Sequence, residues 1–135
     1  MIAVNGLHPA LRPYAEWALS IAEDAGIPVT VTSVKRDWAK QTALRANYEA
    51  CVARGVFPSS LSLSPGMTCK YPANRPGDSA HNFGLAWDSW VPPEYQADWN
   101  AIRRWIGWRV PENDLIHAEF SGWRDLPPEL LKSFL

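Results

Sequence analysis

Two short stretches constrain this chain more than anything else in it, because their side chains make chemical sense only if the fold brings them together. The first is Ser79-Ala80-His81-Asn82-Phe83-Gly84-Leu85-Ala86-Trp87-Asp88 and the second Asp114-Leu115-Ile116-His117-Ala118-Glu119. His81, Asp88 and His117 form a candidate metal-ligand set. Two imidazoles and one carboxylate hold a tetrahedral zinc ion with its fourth position open, the arrangement of a catalytic rather than a closed structural site. Zinc held this way activates water near neutral pH, and other first-row divalent ions suit the same ligands. A lone histidine is more often a hydrogen-bonded structural residue, so the weight rests on the ordering of all three.

Around these stretches the pattern alternates between helical and extended periods. Leu11, Tyr14, Ala15, Ala18, Ile21, Ala22 and Ala25 recur at helical intervals and stop at Gly26. Pro28 to Val34 alternates Val29 and Val31 with threonines, which predicts a strand that delivers Arg36 to its C-terminal edge. Asp37 is placed to cap a second helix with an apolar stripe of Leu44, Tyr48, Cys51 and Val52, ending before Gly55. From Val56 to Asp78, Pro58, Pro65, Gly66, Pro72, Pro76 and Gly77 exclude a regular element. A loop of that length is usually functional, here as a wall of a cleft. Phe83 to Trp90 reads as a strand with Ala86 and Asp88 on one face and Leu85 and Trp87 on the other. Pro92-Pro93 opens a helix with Tyr95, Trp99, Ile102 and Ile106 inward. Asp114 to Phe120 reads as a further strand with His117 and Glu119 on the same side, and Pro127 to Leu135 as a last helical turn or two. Helices and strands mix without regular β-α-β alternation. The expected fold is therefore α+β, a small, mainly antiparallel sheet flanked by helices.

The 135 residues make a single domain, 1–135, large enough to bury a core unaided. A formal charge of −1 with no basic run offers nothing to neutralise phosphates, so nucleic acid is not an expected partner. Eight tryptophans serve mainly the core, with one or two free to line a cleft. No stretch approaches the length of a membrane span, and Met1-Ile2-Ala3-Val4-Asn5-Gly6 lacks the features of a secretory signal. Cys51 and Cys69 are too few for a disulfide framework and read most simply as free thiols. A single bridge between them is open to the chain in an oxidising compartment.

The stretch from Ser79 to Asp88 resembles the S-x-H-x-x-G-x-A-x-D signature of the M15 zinc peptidases, the D-Ala-D-Ala carboxypeptidase and L-Ala-D-Glu endopeptidase family that includes small phage endolysins. Ser79, His81, Gly84, Ala86 and Asp88 fall on it. The stretch from Asp114 to Glu119 is similar to that family's acid-x-x-H-x-E element through Asp114, His117 and Glu119. Ser33 to Gln41 resembles its S-x-x-R-x-x-x-x-Q segment, with Arg36 and Gln41 in register and Lys35 where an aromatic is usual.

The resemblance implies a zinc-dependent peptidoglycan peptidase with the D-Ala-D-Ala carboxypeptidase-like fold, acting on the stem peptide. His81, Asp88 and His117 would hold Zn2+. Asp114 would be the catalytic carboxylate that takes a proton from the attacking water and passes it to the leaving amine, with Glu112 as a nearby rival. Arg36 would polarise the scissile carbonyl or clamp a substrate carboxylate. Ser79 and Gln41 would contact substrate or fix the cleft, and Glu119 would orient an imidazole. Ala118, smaller than the usual residue there, would widen the pocket beside the metal. His8 has no assigned role. The expectation is a monomeric phage endolysin made in the host cytoplasm without a signal peptide, acting on the wall after release or as part of a virion. It would cut between L-Ala and D-Glu. The alternatives are a D-Ala-D-Ala carboxypeptidase and, from another class, a non-catalytic cell-wall-binding or virion structural module that keeps the fold.

Overall fold

The computed structural model describes residues 4–75 and 77–135; Met1 to Ala3 and Pro76, part of the N-terminal and loop readings, lie outside the described residues. Four strands form one antiparallel sheet: β1 (Thr30–Ser33), β2 (Ala86–Trp90), β3 (Trp108–Arg109) and β4 (His117–Phe120), in the order β1-β2-β4-β3. The helices are α1 (Arg12–Asp24), α2 (Trp38–Ala53), α3 (Gln96–Ile106) and the short α4 (Pro128–Ser133). This is the α+β architecture that the alternating periods predict.

The period-two pattern divides the sheet into two faces with different work. Trp87 and Ala118, directly opposed on β2 and β4, are fully buried. They join Ala15, Ala18 and Ala22 of α1 and Trp99 of α3 in the main core. Small residues on α1 let it lie close to the sheet, and the bulk comes from tryptophans. The Trp87 ring meets Trp99 and Trp108 edge-on, with centroids 6.0 and 5.8 Å apart, a favourable arrangement of aromatic quadrupoles. Ala86, Asp88, His117 and Glu119 take the other face. There Ala86 packs in a smaller cluster with Phe83, Leu85 and Trp123.

The strands are shorter than the sequence predicts. A 3-10 turn over Ala80–Phe83 precedes β2, and Gly84 ends it at φ +70°. A Cβ on Gly84 would lie 2.9 Å from the Gly6 carbonyl oxygen, and Gly84 O accepts the His8 amide at 2.8 Å. The positive φ and the close approach of the Gly6 carbonyl both call for glycine there. Likewise β4 begins only at His117, which leaves Asp114 in the preceding turn and not on the strand.

Helix α2 departs from its predicted apolar stripe. Its N-cap is as expected, with the Asp37 carboxylate accepting the Lys40 amide at 2.6 Å. Its buried positions, however, are Gln41, Asn47 and Cys51, while Val52 is half exposed. The reason is the irregular segment beside it, several of whose carbonyls take their hydrogen bonds from α2 side chains. Gln41 Nε2 donates to Asn74 O (2.6 Å), Arg45 Nη1 to Ala73 O (2.9 Å) and Asn47 Nδ2 to Thr68 O (3.1 Å). A polar helix face is what an unpaired loop backbone needs. The two cysteines complete the attachment: Cys51 and Cys69 form a disulfide, both fully buried. This replaces the free-thiol reading, because α2 and the loop hold the two side chains against each other in a way that sequence spacing does not reveal.

Candidate metal centre

Strand pairing assembles the ligand set. Asp88 and His117 are direct cross-strand partners, and the 3-10 turn returns His81 to the same side of β2. The candidate ligand atoms of His81, Asp88 and His117 all lie within 4.8 Å of one another. His81 Nε2 is 3.1 Å and His117 Nδ1 3.2 Å from the same oxygen, Asp88 Oδ1.

The outer nitrogens decide the tautomers. His81 Nδ1 lies 2.5 Å from Val34 O. A carbonyl can only accept, so Nδ1 carries the proton and Nε2 is left with its lone pair toward Asp88. His117 Nε2 lies 2.7 Å from Glu119 Oε1, so it donates there and Nδ1 faces Asp88. Glu119 is itself held by Trp123 Nε1 at 2.9 Å and by Arg109 at 3.5 Å. Two imidazole lone pairs and a carboxylate oxygen thus converge, which is repulsive until a proton or cation sits among them. The donor set, its convergence and its outer hydrogen bonds fit zinc.

Burial and neighbouring charges bias the protonation of each group in this centre. Burial opposes the charge on Asp88, but once protons sit on the inner nitrogens the hydrogen bonds and positive charge of His117 and His81 outweigh it and hold the carboxyl far below the usual range. Burial likewise disfavours a charged His117, yet its bonds to Asp88 and Glu119 lift it to about 9. Glu119 is lowered: His117 and Trp123 overcome its desolvation. Asp114 moves the other way. Partial burial of its carboxyl raises it, with Asp88 adding to the rise and His117 and His81 opposing it. Its carboxylate is therefore within electrostatic reach of all three candidate ligands, although the residue lies exposed on its turn.

The remaining candidates fall around this centre. Arg36 Nη1 donates to Gln41 Oε1 at 3.0 Å, and buried Gln41 passes the connection to the loop at Asn74. Ser79 Oγ accepts the His81 amide at 3.3 Å as the cap of the 3-10 turn. Glu112 turns outward, its side chain 94% exposed and 3.6 Å from Arg104. Ala118 does not share a face with the candidate ligands: it is fully buried on the core face, because successive side chains of β4 point to opposite sides. The expectation that it widens the pocket is corrected accordingly.

Three further residues support the centre without any motif to mark them. Asn82 donates to Arg36 O at 3.0 Å and accepts the Gly77 amide at 3.2 Å, tying the histidine turn to the segment after β1 and to the end of the irregular loop. Trp123 anchors Glu119. Arg103 lies fully buried under the segment from Asp114 to His117; a charge four residues after Trp99, in phase with the apolar face of α3, is its one signal in the sequence.

No family model and no curated protein sequence matches the chain. Solved structures do. The vancomycin-resistance D,D-pentapeptidase VanY of the VanB-type cassette, in complex with Zn(II), superposes with a TM-score of 0.61 at 16% identity, over 95% of this chain and 83% of that one. VanYB in complex with D-alanine-D-alanine gives 0.62 at 17%, over 94% and 75%. The LD-carboxypeptidase LdcB gives 0.61 at 17%, over 96% and 72%. What the chain has in common with VanY, VanYB and LdcB at this level of identity is their α+β fold.

Proposed function

We propose that this protein is a zinc-dependent peptidoglycan peptidase that hydrolyses an amide bond of the stem peptide. The observation that carries the reading is the convergence of His81, Asp88 and His117, with both imidazoles oriented from behind, on a fold similar to that of a Zn(II)-bound D,D-pentapeptidase. His81 Nε2, an Asp88 oxygen and His117 Nδ1 would hold the ion. When bound, zinc supplies Lewis acidity, which polarises a carbonyl and makes water nucleophilic near neutral pH.

The chain's own residues would do the rest. Asp114, its carboxyl raised by desolvation, takes a proton from the attacking water and returns it to the departing amine. Arg36, steadied by Gln41, presents a planar fork to a substrate carboxylate or to the scissile carbonyl. Glu119 keeps His117 in the tautomer that frees Nδ1. Ser79 fixes the turn that presents His81.

Removal of a terminal residue, with Arg36 on the free carboxylate, is the reading supported by the likeness to an LD-carboxypeptidase and to VanYB, which binds D-alanine-D-alanine. The sequence motifs equally resemble those of L-Ala-D-Glu endopeptidases, so internal cleavage by a phage endolysin, free or virion-borne, is the alternative. Digestion of isolated cell walls with mass analysis of the fragments tests both. Released D-Ala or a shortened stem peptide establishes the carboxypeptidase, and new D-Glu amino termini the endopeptidase. Intact walls after incubation with zinc-loaded protein would overturn the enzymatic reading in favour of a wall-binding module.

A further inference from the structure

The inward face of α3 carries a charge where its period calls for an apolar residue. Arg103 has no exposed surface. Its guanidinium Nη2 donates to Leu115 O at 2.7 Å and to Asn100 Oδ1 at 2.8 Å, and Nη1 reaches Ile116 O at 3.4 Å. Nε lies 3.4 Å from Trp99 O, and the guanidinium carbon sits 5.1 Å from the Trp99 ring centroid. Gln96 Nε2 braces Asn100 Oδ1 from the other side at 2.8 Å.

Burying a cation against carbonyls rather than a carboxylate is unfavourable, and a methionine of similar volume would cost the fold less. The charge persists nonetheless: burial lowers its pKa, but only to about 10. The use of the charge shows in what it grips. Leu115 and Ile116 are the two residues between Asp114 and His117. Ile116 O also accepts the Ser89 amide at 2.9 Å, and Ser89 follows Asp88. Trp99 Nε1 in turn donates to Ser89 Oγ at 2.9 Å. One face of α3 therefore holds the segments that carry Asp88 and His117.

We infer that Arg103 is a positioning residue of the metal centre: its fork holds the Leu115 and Ile116 carbonyls and so sets the turn that aims Asp114 and His117. A lysine cannot reproduce this, because a point charge on a flexible stem does not span two carbonyls and an amide together. The inference deepens the zinc-site reading and rests on it.

The test compares wild type, Arg103→Met, Arg103→Lys and Asn100→Ala in two measurements: zinc affinity by competition with a chromophoric chelator, and hydrogen exchange of the Ser89 amide in zinc-free protein. Outer hydrogen bonds at metal sites are worth on the order of tenfold to a hundredfold in affinity. Arg103→Met should lose that much, with Ser89 exchange faster than its global stability accounts for, and Arg103→Lys should recover part of both. On cell-wall substrate kcat should fall while KM holds. A folded Arg103→Met with wild-type zinc affinity and Ser89 protection would overturn the inference. If that variant fails to fold, Asn100→Ala, which keeps the charge and removes one anchor of the fork, decides by the same two readings. A wild type that binds no zinc would refute the metal-centre reading, and Ser89 exchange would then decide the positioning role alone.

Discussion

Asp88 and His117 stand directly opposite each other on β2 and β4, with Asp88 Oδ1 3.2 Å from His117 Nδ1. Cross-strand opposition places this pair on neighbouring strands, so the sheet fixes the spacing of two of the three proposed ligands. His81 joins them through a turn pinned by Ser79, Val34 and Gly84.

Removing any one of the three should empty the site. His81→Ala, Asp88→Ala and His117→Ala are each expected to lower bound zinc to below roughly one-tenth of wild type and to abolish hydrolysis, since an open catalytic site has no spare protein ligand. Metal analysis of the purified variants checks this. Wild-type protein that works undiminished in chelator would contradict it.

Asp114→Asn keeps the size and shape of the side chain but cannot accept a proton. It should retain zinc and melting temperature while losing on the order of a hundredfold or more in kcat. Near-normal turnover would pass the role to Glu119, because Glu112 points outward beside Arg104.

The zinc-free protein should lose stability as pH rises. His117 is lifted from 6.5 to about 9 when folded: burial alone would lower it, and the bonds to Asp88 and Glu119 prevail. A raised value stabilises the fold fully below 6.5, and this contribution is lost as pH climbs through about 9. Zinc requires the unprotonated nitrogen, so its affinity should rise over the same window, by up to about tenfold per pH unit. Calorimetry of chelated protein and zinc titrations across this range measure both. A melting temperature that climbs with pH would contradict the assignment.

Reduction of Cys51–Cys69 should destabilise the chain without emptying the metal site. The bridged residues are 18 apart in sequence. A loop of that size is worth about 3 kcal/mol of chain entropy, or roughly 10 °C in melting temperature for a domain of this length. Thermal melts with and without reductant test the loss. Zinc content well below the melting transition should be unchanged, and its disappearance would mean that the 56–78 segment supports the ligands directly.

The sequence by itself determined what local chemistry determines. Helix α2 begins where Asp37 can cap it, α1 ends before Gly26, and the alternation along β2 and β4 already separates Asp88, His117 and Glu119 from Trp87 and Ala118. The candidate ligand types and their order were legible because metal chemistry restricts which side chains can serve. Tertiary structure decided the rest, because the partners are distant in sequence. Val34 O selects the His81 tautomer from 47 residues away. The Cys51–Cys69 bridge, the polar face of α2 and the buried fork of Arg103 all answer carbonyls or thiols that only the folded chain brings near. Periodicity can say which face of an element is inward. It cannot say what waits there, and at Gln41, Asn47 and Arg103 what waits is backbone carbonyls of irregular segments, for which a polar side chain is the better neighbour.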